Sequence, residues 1–248
     1  MHSQPANSQN RNTGILFLHG FTGSPAELEW LQAQFDQLGF QTLLPTLCGH
    51  GTQPEAMLQC TYRDWLGDVE TALNTLRRQC KTVFVVGLSM GGALSLYLAA
   101  HHDFAGVVTM AAPVRLSPVK EVAARWLHPV IRWQHKKNGP DIRDQKAKKR
   151  LRSYYRYPTR AAVELFDLLR LVRGHLSRIR MPILIIHSKQ DHAVPYTNAE
   201  RIYRSVASKQ KRLKLLTESY HIISADVEKE QVFKEIQEFI QEILEGGK

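Results

Sequence analysis

The sequence has little that would mark it for a membrane, a metal or an oxidising compartment. No apolar run approaches the roughly 18 residues needed to span a bilayer. Met1 to Thr13 is polar and lacks the apolar stretch of a secretory signal, so none is expected. Cysteine is scarce: Cys48, Cys60 and Cys80 are odd in number and share no CxxC spacing. That usage argues against a disulfide framework or a thiolate metal site and predicts reduced thiols in a cytoplasmic protein. No internal repeat is present.

What remains describes an ordinary globular chain with one unusual segment. A length of 248 residues suits one domain with room for an insertion and a substantial core. The formal charge of +10 is local, because Arg115 to Arg180 holds 18 Lys/Arg against 5 Asp/Glu while the remainder is slightly acidic. Basic character spread over the whole chain would suggest nucleic acid. An excess confined to one segment fits a solvated helical surface, or a cationic rim around something anionic.

Short apolar runs alternate with longer helical patterns. Strands are predicted at Gly14–Leu18, Gln41–Leu44, Thr82–Gly87, Gly106–Met110, Pro182–His187 and Arg212–Thr217. Most are continuous rather than alternating, as expected of strands buried on both faces of a parallel sheet. Ser24-Pro25-Ala26-Glu27 reads as an N-cap, a first-turn proline and a capping box, with Gly39 ending that helix. Thr61 to Arg78 puts Trp65, Val69, Leu73 and Leu76 on one face. Val232, Ile236, Phe239, Ile240 and Ile243 form a second stripe. Such alternation implies a parallel sheet with helices on both faces.

One segment breaks this rhythm. Val114 to Ser177 shows no buried strand, carries four prolines and is rich in Trp, Tyr, Arg and Lys. It is expected to be a mostly helical cap over the carboxyl ends of the strands, where open α/β sheets bind ligands. The core domain would then be 14–113 plus 178–246, with 114–177 as the cap and 1–13 as a polar tail.

The stretch "KTVFVVGLSMGGALSLYLAAHH" gives the chemistry. Gly87-Leu88-Ser89-Met90-Gly91 fits G-x-S-x-G between a strand and a helix, the context of a nucleophile elbow. The turn is so tight that the positions two residues either side of the serine must lack bulk. A serine hydroxyl needs a base to take its proton. The elbow's chain order is Ser, acid, His, each partner on a loop after a later strand. "MPILIIHSKQDHAVP" supplies Asp191 and "LKLLTESYHIIS" supplies His221, both just beyond predicted strands. His192 is the rival base and Asp226 the rival acid. The oxyanion of a tetrahedral intermediate would be held by the backbone N–H of Met90, directly after the serine, and of Phe21 in "HGFTGSP".

With "LFLHGFTGSPAELEWL", "LLPTLCGHGTQPE", "YRDWLGDVETAL", "VVGLSMGGALSL", "GVVTMAAPV", "PILIIHSKQDHAVP" and "YHIISADVEKEQV", the sequence resembles the α/β-hydrolase superfamily. More narrowly, it is similar to the bacterial carboxylesterase and monoacylglycerol lipase group of serine esterases. The resemblance implies the α/β-hydrolase fold, here a mostly parallel six-stranded sheet with a small helical cap after the fourth strand. It implies Ser89, Asp191 and His221 as the catalytic residues, no metal or organic cofactor, and short- to medium-chain acyl esters, monoacylglycerols included, as substrates. Two departures stand out: the basic load of 114–177, and Tyr220 where the group has a small residue before the histidine.

Trp126, Leu127, Trp133, Leu165 and Leu169 are candidates for an acyl pocket, and Tyr220 for a contact on the alcohol side. A thioesterase or lysophospholipase acting on anionic acyl substrates would use the same three residues, and a basic cap would weakly attract anionic lipid or substrate. A non-catalytic nucleic-acid or membrane binder is the reading from another class, resting on Tyr154-Tyr155-Arg156-Tyr157 amid arginines. It leaves the Ser, Asp and His placement without a use, so no nucleic-acid partner is required.

Overall fold

A computed structural model describes residues 8–136 and 139–246. After a short helix α1 (Ser8–Arg11), the chain runs β1 (Thr13–Leu18), α2 (Glu29–Gln37), β2 (Gln41–Leu43), α3 (Tyr62–Gln79), β3 (Thr82–Leu88), α4 (Met90–His101) and β4 (Gly106–Met110). There follow α5 (Pro118–Leu127), β5 (Trp133–His135), α6 (Gln145–Arg150), β6 (Arg156–Pro158) and α7 (Thr159–His175). The chain closes with β7 (Ile183–Ser188), α8 (Thr197–Ser205), β8 (Lys211–Leu216) and α9 (Lys229–Gly246).

Six strands form one sheet in the order β2-β1-β3-β4-β7-β8, and every pairing in it is parallel. The continuous apolar runs now have their reason. Alternate residues of each strand point to opposite faces, and each face carries a core. Leu16, Leu18, Val83, Val85, Ile183 and Ile185 meet α3, α4, α7 and α8 on one side. Ile15, Phe17, Phe84, Val86, Leu184 and Ile186 meet α2 and α9 on the other. Both helical stripes read from the sequence are buried, α3 through Trp65, Val69, Leu73 and Leu76 and α9 through Val232, Ile236, Phe239 and Ile240. Gly39 adopts φ +85, the left-handed turn that closes α2.

Four expectations need correction. Ser24 to Glu27 forms a single 3-10 turn with no side-chain cap, because the Ser24 hydroxyl donates to Arg152 O and the Glu27 carboxylate accepts from Gly20 N–H. Segment 114–177 is helical but also folds β5 and β6 into a two-stranded antiparallel ribbon, too short to show as a pattern. Residues 8–13 are built onto the core rather than trailing from it: Asn10 Nδ2 donates to Leu38 O, and Thr13 begins β1. The first seven residues of the expected tail lie outside the described residues.

The fourth concerns the cysteines. Cys48 and Cys60 are joined in a disulfide, with Cα atoms 6.0 Å apart, and Cys80 alone is free and buried. The loop between β2 and α3 doubles back through Gly49 and Gly51, at φ +76 and +73, and brings together two positions whose spacing carries no motif. The cysteine ground for a cytoplasmic location falls with it. No helix among the described residues is long and apolar enough to cross a membrane.

Candidate active site

Ser89 sits at the turn between β3 and α4 with φ +54 and ψ −119, a conformation that side chains other than glycine seldom adopt. Its neighbours explain the three glycines around it. A Cβ on Gly87 would lie 2.2 Å from Gly91 O, one on Gly91 only 2.0 Å from Leu18 O, and one on Gly92 2.6 Å from Ala112 Cβ. The elbow is thus wedged between β1 and the end of β4, and Ser89 N–H donates to Met110 O at 2.8 Å. Helix α4 starts immediately behind the serine, so its unpaired N–H groups face the same space.

The loops after β7 and β8 bring the partners. His221 Nε2 lies 2.9 Å from Ser89 Oγ, and His221 Nδ1 lies 2.7 Å from Asp191 Oδ2. The Asp191 carboxylate is fully enclosed, and its other oxygen accepts the N–H groups of Ala193 and Val194. Burial alone would raise the Asp191 pKa; the charge of His221 and hydrogen bonds from His187 and His221 outweigh it and hold the group ionised. For His221, burial disfavours the imidazolium, but Asp191 more than compensates, aided by Asp141 and Glu27, and the pKa is raised. The arrangement is a hydroxyl, a base and a buried anion in line.

His187 was not anticipated. Its Nε2 is within reach of both Val194 O at 3.0 Å and Asp191 Oδ2 at 3.1 Å, so Nε2 carries the proton and supplies Asp191 with a second imidazole donor. The signal was present, four residues before the acid, but in a strand it reads as core filling.

Neither rival takes part in that line. His192 is exposed, and both its backbone N–H and Nδ1 meet the Asp141 carboxylate at 3.0 Å. Asp226 is buried without a histidine partner: it accepts the N–H groups of Arg143, Asp144 and Tyr220 and so fastens the cap to the loop carrying His221. Asp141 adds to this, its carbonyl accepting from both His221 N–H and Ile222 N–H.

The two amides expected to hold an oxyanion flank the serine. A Cβ on Gly20 would sit 3.3 Å from Ser89 Cβ, so the loop after β1 packs directly against the elbow. Among the described residues, neither the Phe21 nor the Met90 N–H has an acceptor within the protein. Below this loop His19 is wholly buried, Nδ1 donating to Gly20 O and Nε2 accepting from Leu47 N–H. Burial, helped by the neighbouring His50, pushes the His19 pKa down to about 3, so it stays neutral and fixes the turn.

These groups open into a cleft of about 310 Å³ lined by Phe21, Ser89, Met90, Lys136, Leu165 and His221. Through Phe21, Leu116, Tyr157, Leu165 and Ala193 it adjoins a groove of about 590 Å³ under α5. Of the expected acyl contacts, Leu165 lines both spaces and Leu127 lines the groove. Trp126 does not, because the side of α5 turned to the groove carries Lys120, Ala123, Ala124 and Leu127 and leaves Trp126 79% exposed. Leu169, one turn beyond Leu165, is core. Trp133 is occupied by the Arg156 guanidinium, 4.6 Å from its ring centre. Tyr220 turns outward onto the His192 ring at 4.5 Å and lines a surface hollow instead of the cleft. Nor does the tyrosine run offer a stacking platform: Tyr154 bonds inward to Gly49 O, Tyr157 packs on Phe21, and only Tyr155 is strongly exposed.

Among the described residues no cluster of His, Cys, Asp or Glu is arranged to hold a metal. The family described as "Serine aminopeptidase, S33" matches residues 9–228. The chain belongs to that family, within the α/β-hydrolase superfamily. This hydrolase is 34% identical to the thermostable monoacylglycerol lipase of Bacillus sp. (strain H-257), over 96% of its own length and 94% of that protein's. It is 27% identical to a carboxylesterase of Bacillus subtilis (strain 168), over 97% of both chains. A solved structure from work on the metagenome-derived lipolytic enzymes LipS and LipT superposes with a TM-score of 0.88 at 33% identity, covering 93% of the hydrolase and 94% of that chain.

Proposed function

We propose that this serine ester hydrolase cleaves short- to medium-chain acyl esters, monoacylglycerols among them, through an acyl-enzyme on Ser89. The observation that carries the reading is the unbroken line Ser89 Oγ, His221 Nε2, His221 Nδ1, Asp191 Oδ2, with 2.9 and 2.7 Å at its two hydrogen bonds. His221 takes the hydroxyl proton as Ser89 Oγ bonds to the ester carbonyl carbon. Asp191 orients the ring and stabilises the imidazolium that results. The Phe21 and Met90 N–H groups receive the oxyanion. Collapse breaks the bond to the alkoxy oxygen, which leaves with the proton from His221. Water, deprotonated by the same histidine, then attacks the acyl-enzyme and releases the carboxylic acid and Ser89.

The raised His221 pKa suits this role, since a base near the working pH combines availability with driving force. The names of the relatives at 34% and 27% identity support an ester and favour an acylglycerol over an amide. The groove under α5 offers apolar walls at Leu116, Leu127, Leu165 and Phe166 for an acyl chain leaving the cleft.

Incubation with a fluorophosphonate, followed by intact mass and peptide mapping, tests the mechanism. One adduct on Ser89 is expected, absent in Ser89→Ala, whose ester turnover should fall at least about 10⁴-fold. Labelling elsewhere, or turnover surviving in Ser89→Ala, would refute it. A chain-length series of p-nitrophenyl esters set against acyl-CoA decides the substrate class. Preference for acyl-CoA with steep salt dependence would favour anionic acyl substrates drawn by the basic segment.

A further inference from the structure

Thr22 is a buried, β-branched residue at φ +63, directly after the amide assigned to the oxyanion. A threonine in the left-handed region is an outlier that persists only where its surroundings enforce it. The turn is closed locally by Gly23 N–H donating to Gly20 O at 3.2 Å, and the remaining contacts on Thr22 come from one place, the end of the β5–β6 ribbon. Lys136 follows β5 and its N–H donates to Tyr155 O at 2.7 Å, which continues the ladder by one step. From there Lys136 Nζ donates to Thr22 Oγ1 and, at 3.1 Å, to Ser153 Oγ. Just before β6, Tyr154 N–H donates to Thr22 O at 2.9 Å. The Thr22 hydroxyl itself donates to Phe21 O at 2.5 Å, and the Tyr157 ring closes on the Phe21 ring at 5.3 Å.

We propose that Lys136 and the ribbon end are positioning residues: they clip Thr22 into the left-handed turn that presents the Phe21 N–H to the cleft. This rests on the acyl-enzyme reading and deepens it. In that reading the core supplies one oxyanion donor at Met90, and the segment between β4 and β7 governs the other.

The Lys136 ammonium is suited to this because it is fixed rather than free. Burial lowers its pKa and the influence of Glu27 works the other way, while Nζ is held by the hydroxyls of Thr22 and Ser153. Glu27 acts on the same loop from beneath through its bond from Gly20 N–H at 2.9 Å. Loosening the clip should let Thr22 relax toward ordinary backbone angles and swing the Phe21 N–H away. The substrate would still bind, but the tetrahedral state would lose part of one donor.

The test measures kcat and KM on a p-nitrophenyl ester together with the inhibition constant of an acyl trifluoromethyl ketone, whose adduct places an oxyanion at the same point. Complete loss of one oxyanion donor costs about 10²–10³ in kcat. Lys136→Met should therefore lower kcat by about tenfold with KM little changed, and weaken the ketone by the same factor that kcat/KM falls. Thr22→Val, which keeps the shape but removes the hydroxyl, should reproduce this, Thr22→Ser should restore most of the loss, and Lys136→Met with Thr22→Val should be no worse than either alone.

An unchanged kcat with only a lowered melting temperature would overturn the proposal, as would additive losses or a ketone constant that does not follow kcat/KM. If Lys136→Met does not fold, the Thr22→Val and Thr22→Ser pair decides. Fluorophosphonate labelling separates the two levels. Absence of label in the unmodified protein refutes the acyl-enzyme, whereas normal label with equal kcat in Thr22→Val and Thr22→Ser refutes the clip alone.

Discussion

Beneath Ser89 the chain is held by apolar packing: Leu18, Val85, Leu88 and Ala93 are each almost wholly buried within two cores. Above it, described residues between Lys136 and Tyr154 bury Ile142 in the second core and add a set of polar contacts to the same site. Asp141 O receives two amides of the His221 loop, Asp226 receives Arg143 and Asp144, and Lys136 and Tyr154 hold Thr22. Packing of the first kind is non-directional and cooperative, so it fixes where strands end. Contacts of the second kind are directional and individually worth about 1 kcal/mol, so they aim loops without determining whether the protein folds. A site built this way has a scaffold and an adjustable upper half.

That contrast is most sharply broken by a methyl group in the lower half. Gly91→Ala would drive a Cβ to 2.0 Å from the Leu18 carbonyl oxygen and 2.7 Å from His19 O, both backbone, with no flexible side chain to yield. The expected cost exceeds about 4 kcal/mol, read as loss of the folded protein or a collapse of its melting temperature. A folded, active Gly91→Ala would mean the elbow is less confined than its packing implies.

The Cys48–Cys60 bond is a smaller lever and lies between the two halves. It closes a loop of sequence separation 12 that carries His50, against Phe21, and the Gly49 carbonyl, against Tyr154. Chain-entropy arguments put such a closure at about 3 kcal/mol. Cys48→Ser with Cys60→Ser should lower stability by that order in urea unfolding while kcat at 25 °C changes less than about threefold. A kcat loss much larger than this would place the loop in the machinery rather than beside it.

The same division explains what could be read from the sequence. All six strands of the sheet were legible, with no end moved by more than one residue, because burial on both faces leaves nearly unbroken apolar runs. The fold and the Ser89, Asp191 and His221 line were legible because the elbow glycines are forced by backbone contact, and its partners must follow strands. Glu27 was misread because S-P-A-E satisfies the local rules of a capping box, while its buried carboxylate answers to Gly20 across the loop. Trp126, Trp133, Leu169 and Tyr220 were misjudged as substrate contacts because residue type and helical spacing do not say which of two apolar surroundings a side chain enters. Lys136 and Asp141 left no pattern at all, and His187, four residues before the acid, reads only as core filling. Their partners lie four to more than a hundred residues away and are reached through isolated polar contacts.

The smallest expected effect probes the upper half through charge alone. His221 faces Ser89 and feels the charges of Asp191, Asp141 and Glu27, and Glu27 in turn acts on Lys136. Asp191 and its companions raise the imidazole above its ordinary 6.5, and the base works only when neutral, so the acid limb of kcat/KM should lie above pH 6.5. Asp141→Asn removes one anion yet leaves the carbonyl that accepts His221 N–H and Ile222 N–H, and an amide oxygen for His192 N–H. With less negative charge to stabilise the imidazolium, the limb should move to lower pH. kcat/KM at pH 6 should therefore rise, by less than about tenfold, while the plateau at pH 8.5 stays nearly constant. A limb that stays in place with a lowered plateau would show that Asp141 acts by aiming the loop and not through its charge. Movement to higher pH would contradict the electrostatics outright, since removing a nearby anion cannot make an imidazole more basic.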